Sequence, residues 1–163
     1  MEENIQQAIF AGGCFWGVEH LMQKKEGVID AVSGYTGGDE EHPTYREVCL
    51  DMTNHIEAVR IRFNPNIISY RDLAKFFFEI HDPEQEDGQG PDHGEQYRSE
   101  IFYLNDEQRD IALELIEILK EKGFKPVTRV TKAKKFWEAE DYHQDYFVKN
   151  PNHIGCHFWT KRF

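Results

Sequence analysis

The 163-residue chain has no surplus of basic residues: Lys and Arg number 19 against 30 Asp and Glu, a formal charge of −11. Binding to a nucleic-acid backbone depends on such a surplus to displace counterions, so no nucleic-acid partner is expected. Nor does any run approach the ~18 consecutive apolar residues of a membrane span. The opening Met1-Glu2-Glu3-Asn4 is neither basic nor apolar. The expectation is therefore no secretory leader, no membrane association and a cytoplasmic setting. Cysteine is scarce. Cys14, Cys49 and Cys156 are the whole complement of three, an odd number that forms no C-x-x-C pair. That argues against a disulfide-stapled secreted domain, a zinc ribbon and a thioredoxin-type dithiol. Repeats, low-complexity tracts and Ser/Gly linkers are missing too. The length suits about one domain, so residues 1–163 are read as a single unit with 150–163 as its tail.

What is present is aromatic. Phe, Tyr and Trp make up 13% of the chain, enough rings to build a core despite the high charge. Ala8-Ile9-Phe10-Ala11 is a short apolar run stopped by Gly12-Gly13 and reads as a buried strand. Val18, Leu21 and Met22 then recur at helical spacing, with Gly27 beyond the end. Val28 to Tyr35 is the next strand, and Tyr45 falls in a Gly/Pro-rich loop after it. From Glu57 to Phe63 residues alternate: Glu57, Val59, Ile61 and Phe63 share one strand face, Ala58, Arg60 and Arg62 the other. Ser69 with Asp72 and Asn105 with Gln108 look like helix caps opening two apolar-striped helices. A polar loop at 82–98, strands at 101–104 and 127–131, an aromatic helix near 140–148 and an extended tail complete the chain. The first six elements fit an α+β, ferredoxin-like split βαβ core, a mixed sheet with helices packed on it.

Two positions stand out chemically. Cys14 lies between a strand and the first turn of a helix, where unpaired N–H groups and the positive dipole end stabilise a thiolate. Read blandly, Gly12-Gly13 is only a turn and the thiol only packs. Glu57 places a carboxyl on the apolar face of its strand; burial without a cation favours the neutral acid that a proton donor needs. Equally, Glu57 near the strand start is wet, or pairs with an Arg. Asp92 and Tyr97 belong to the long acidic loop; long loops in compact domains are often functional, but taken alone this one reads as a solvated charge run. The eight His show no metal-ligand spacing beyond a weak His153-x-x-Cys156-His157 cluster. Two other readings suit the thiol: a papain-like hydrolase pairing Cys14 with His93 or His143, and a non-enzymatic module that binds without turnover.

Taken together, Gly12-Gly13-Cys14-Phe15-Trp16-Gly17, Pro43-Thr44-Tyr45-Arg46-Glu47-Val48-Cys49, His55-Ile56-Glu57, His81-Asp82-Pro83 and the 89–99 segment Gln89 to Ser99 resemble the A-type peptide methionine sulfoxide reductases, in that family's order. Pro91, Gly88, His42 and Asn54 depart from the common pattern, as does the tail around Cys156. The resemblance implies that Cys14 attacks the sulfoxide sulfur of the S epimer and that Glu57 gives its oxygen a proton. It implies that Tyr45 and Tyr97 orient that oxygen, that Asp92 positions its loop, and that Phe15 and Trp16 hold the methyl group. It further implies that Cys156 resolves the resulting sulfenic acid, with thioredoxin as reductant. Methionine sulfoxide in oxidised proteins and peptides, and also the free amino acid, would be the substrates, no metal or organic cofactor would be needed, and a monomer is expected. Cys49, among apolar neighbours, reads as a buried structural thiol.

Overall fold

A computed structural model describes residues 4–49, 53–153, 155 and 157–163. In chain order these form β1 (Gln6–Gly12), α1 (Phe15–Gln23), β2 (Val28–Thr36), α2 (Tyr45–Cys49), β3 (Ile56–Phe63) and α3 (Tyr70–Glu79). Then come the two-residue strands β4 (Gly88–Gln89) and β5 (Asp92–His93), followed by β6 (Ser99–Tyr103), α4 (Asp106–Glu121), β7 (Arg129–Lys132), β8 (Trp137–Glu138) and α5 (Tyr146–Lys149).

The main sheet runs β7-β6-β1-β3-β2-β8. β1 pairs antiparallel with both β3 and β6, and β3 antiparallel with β2, which is the split βαβ arrangement expected from the element order. β7 adds parallel to β6 and makes the sheet mixed. The alternation along β3 is realised: Val59, Ile61 and Phe63 are fully buried in the main core, whereas Arg62 on the opposite face is exposed. Phe10 on β1 stacks on Phe77 of α3 at 4.8 Å, tying the helix layer to the sheet centre. Truncating such a ring typically costs ~3–5 kcal/mol.

Both expected caps form, Asp72 N–H donating to Ser69 Oγ at 3.0 Å and Gln108 N–H to Asn105 Oδ1 at 2.9 Å. Some elements differ from expectation. The Gly/Pro-rich segment at Tyr45 is not all loop, because Thr44 and Glu47 form a reciprocal capping box. Thr44 N–H donates to Glu47 Oε1 at 3.0 Å, and Glu47 N–H to Thr44 Oγ1 at 3.3 Å. The 140–148 segment is a 3₁₀ turn at Asp141–His143 followed by α5, and β8 before it extends the sheet edge at β2. The described part of the tail carries no helix or strand after α5, as expected for coil. It is nonetheless docked: Thr160 N–H donates to the Glu79 carbonyl at 2.7 Å and Arg162 N–H to Glu79 Oε2 at 3.1 Å. Among the described residues no helix is long and apolar enough to cross a membrane.

Candidate active site

β1 ends at Gly12, and the chain turns through Gly13 in a left-handed conformation, φ 92°. A side chain there is excluded twice over, since a Cβ would lie 2.5 Å from Gln89 Cβ. That tight turn leaves half-buried Cys14 at the N-cap position of α1, beside the N–H groups of the first helical turn.

Glu57 reaches the same turn from β3. It is 1% exposed, which excludes the wet alternative, and no Arg among the described residues pairs with it. Its Oε1 accepts the Phe15 N–H at 3.2 Å. Its Oε2 is buried with no hydrogen-bond partner among the described residues. Burial pushes the carboxyl up to about 8; the Phe15 N–H pulls the other way, and the nearby Asp92 charge adds to the rise. Desolvation therefore outweighs the helix N-terminus, and Glu57 is a neutral acid at pH 7. A neutral carboxyl that accepts at Oε1 carries its proton on Oε2, poised for an oxygen placed beside it.

A cavity of about 220 Å³ opens beside Cys14, and Cys14, Trp16, Tyr45, Asp92 and Tyr97 line it, whereas the buried Glu57 is not part of its lining. Asp92 stands on β5 of the small hairpin, and Tyr97 closes the 3₁₀ turn that follows. Burial, then the Glu57 charge, holds both the Tyr45 and Tyr97 hydroxyls above the usual tyrosine range, so both are protonated donors. Phe15 is not on the cavity wall. Its ring is 1% exposed and lies behind Tyr45, the two stacked at 6.4 Å. Trp16 forms the wall instead, stacked on Tyr146 at 3.7 Å and 6°. Cys156 lies outside the described residues. Its chain neighbour His157 is buried against the turn, where Nε2–H donates to the Gly12 carbonyl at 2.6 Å.

The sequence reading passed over several contributors. Trp16 Nε1–H donates to His143 Nδ1 at 2.9 Å, so that imidazole serves to aim the indole. Tyr146 is its stacking partner. A buried indole N–H must find an acceptor, which is the one local signal that pointed to a partner; which residue supplies it depends on tertiary folding. Cys49 is a second correction. It is half-buried rather than buried, and α2 puts its thiol in hydrogen-bond contact with the Tyr45 hydroxyl. The hydrolase pairing fails on geometry. His93 forms an exposed pair with Asp87 at 2.9 Å, His143 gives its Nδ1 to Trp16, and neither lines the cavity that holds Cys14.

Residues 6–162 match the family model described as peptide methionine sulfoxide reductase. A curated relative from Nocardia farcinica, named peptide methionine sulfoxide reductase MsrA, is 49% identical over 158 residues, covering 95% of this chain and 91% of its own. Among solved structures, Mxr1 from Saccharomyces cerevisiae in its reduced form superposes with a TM-score of 0.91 at 36% identity, covering 96% of this chain and 93% of that one. The same yeast protein in complex with Trx2 matches at a TM-score of 0.66 and 24% identity, over 99% and 96% of the two chains, a likeness of fold. With the thiol turn, the buried acid and the tyrosine-lined cavity in one place, this chain belongs to the peptide methionine sulfoxide reductase family.

Proposed function

We propose that this protein reduces the S epimer of methionine sulfoxide in oxidised proteins and peptides, with residues 1–163 acting as one monomeric catalytic domain in a cytoplasmic, reducing setting. The observation that carries the reading is the neutral carboxyl of Glu57, bonded to the N–H of Phe15, the residue next to Cys14. Sulfoxide oxygen leaves sulfur poorly unless it is protonated, and a thiolate at a helix start supplies the nucleophile.

In the proposed cycle the Cys14 sulfur attacks the sulfoxide sulfur while Glu57 delivers a proton to the oxygen. Tyr45 and Tyr97 donate hydrogen bonds to that oxygen, Asp92 holds the hairpin, and Trp16, backed by Phe15, packs on the methyl group. The oxygen transfers to Cys14, leaving methionine and a sulfenic acid: one sulfur is reduced and the other oxidised. Cys156 then displaces hydroxide from the sulfenic acid, giving a Cys14–Cys156 disulfide and water. Thioredoxin reduces the disulfide with its own dithiol. No step calls for a metal or organic cofactor.

A thioredoxin-coupled NADPH assay with peptides bearing separated S and R sulfoxides tests the reading. The expected result is turnover of the S peptide alone. Turnover of R alone, or stoichiometric peptide binding without NADPH consumption, overturns it.

A further inference from the structure

α2 spans only Tyr45–Cys49. A helix this short cannot sustain itself, because nucleation is unfavourable and so few residues repay little of it. The Thr44–Glu47 box holds it from within. A second carboxylate arrives from far along the chain: Glu140 Oε2 accepts the Tyr45 N–H at 3.1 Å, and Oε1 accepts the hydroxyl of Tyr35 at 2.8 Å. One side chain thus joins the first residue of α2, whose N–H has no intrahelical acceptor, to a fully buried ring on β2.

Glu140 is itself firmly placed. Ala139 N–H donates to the Ser33 carbonyl at 2.9 Å, and β8, just before it, pairs with Gly34 and Tyr35 of β2. Gln144 accepts the Ser33 N–H and donates to the Ser33 and Ala139 carbonyls. Burial works to raise the Glu140 carboxyl, but its own backbone N–H, that of Tyr45 and the Tyr35 hydroxyl outweigh this and hold it below the usual range. It is a full anion at the start of α2, the end that favours negative charge.

We propose that Glu140 is the positioning residue for Tyr45, anchoring the start of α2 to the sheet edge so that the phenol faces the reacting oxygen. Glu140 touches no reacting atom and acts through Tyr45, so the inference rests on the role given to Tyr45 above. Without the carboxylate, the Tyr45 N–H and Tyr35 hydroxyl lose their acceptor, and α2 loses its tie to β2.

The test is a single-turnover assay with an S-sulfoxide peptide on E140A, Y45F and the double variant. Misplacing a positioned group costs at most what that group supplies, so E140A should lower the saturated rate by about fivefold, no more than Y45F does, with the half-saturating concentration held within about twofold. On the Y45F background the same change should cost less than about twofold, because the group being positioned is already gone. Should E140A lose its near-UV circular dichroism, E140Q carries the test. Its amide keeps one acceptor for the Tyr45 N–H, so a smaller loss of about threefold is expected, again confined to the Tyr45 background. Equal losses in both backgrounds, a change in half-saturation alone, or an unaltered rate overturns the positioning claim. A Y45F rate equal to wild type overturns the role of Tyr45 itself, and the positioning claim with it.

Discussion

The site has a sheet-borne half and a loop-borne half, and they are built differently. Cys14 and Glu57 sit at the end of β1 and within β3, neighbouring strands of the sheet, so their positions are fixed by ladder hydrogen bonds and core packing. Tyr45, Asp92 and Tyr97 sit on a five-residue helix, a two-residue strand and a 3₁₀ turn. Side-chain bonds hold these: Thr44 with Glu47, Glu140 with Tyr45, and Gln89, whose Nε2 donates to the Asp82 carbonyl at 2.9 Å. The rigid half carries the bonds that are made and broken, and the adjustable half orients the oxygen. On this division, damage to the sheet-borne half should stop the chemistry, while damage to the loop-borne half should slow it.

The largest effect is expected for Cys14→Ser. A hydroxyl at neutral pH is a far weaker nucleophile than a thiolate, so reduction of the S-sulfoxide peptide should vanish while circular dichroism stays native. Turnover within about tenfold of wild type would mean that another group attacks sulfur. Next is Glu57→Gln, which keeps the shape and the acceptor for the Phe15 N–H but removes the proton. General-acid assistance is worth roughly 10²–10⁴-fold, and the single-turnover rate should drop by that order.

Replacing Tyr45 or Tyr97 by Phe removes one hydrogen bond to the oxygen, worth about 1 kcal/mol or roughly five- to tenfold in rate. A loss as large as that of Glu57→Gln would erase the distinction between the two halves. Smallest of all should be Cys49→Ser, which retains a hydroxyl as partner for Tyr45. Its steady-state rate should stay within about threefold of wild type, whereas Cys156→Ser should release one methionine per enzyme and then stall with thioredoxin. If the two variants behave the other way round, Cys49 is the resolving thiol.

The same division explains what could be read in the sequence. Period-two alternation put Glu57 on the buried face with Val59 and Ile61, and a Gly-Gly stop before Cys14 marked the strand end; both are local patterns, and both survive in the structure. The ferredoxin-like order followed from the succession of elements. Tyr45 and Tyr97 had no periodicity to mark them; their loops drew notice, but their role at the sulfoxide oxygen came only from family resemblance. The Thr44-x-x-Glu47 box was visible but overshadowed by the surrounding Gly and Pro. Glu140, and the role of His143 toward Trp16, were beyond reach, because they act across separations of 95 and 127 residues that only the folded sheet edge closes. Phe15 was assigned to the cavity by its motif, yet the helix turns its ring inward behind Tyr45.

The central claim, that a buried neutral Glu57 supplies the proton, is tested most directly by the single-turnover rate of wild type and Glu57→Gln between about pH 6 and pH 10. Because the folded carboxyl is raised to about 8, the acid is protonated below that value and lost above it. The wild-type rate should therefore fall as pH climbs through about 8, and Glu57→Gln should show a lower rate without that descending limb. A limb that persists in Glu57→Gln at the same midpoint would contradict the claim and assign the proton to another group.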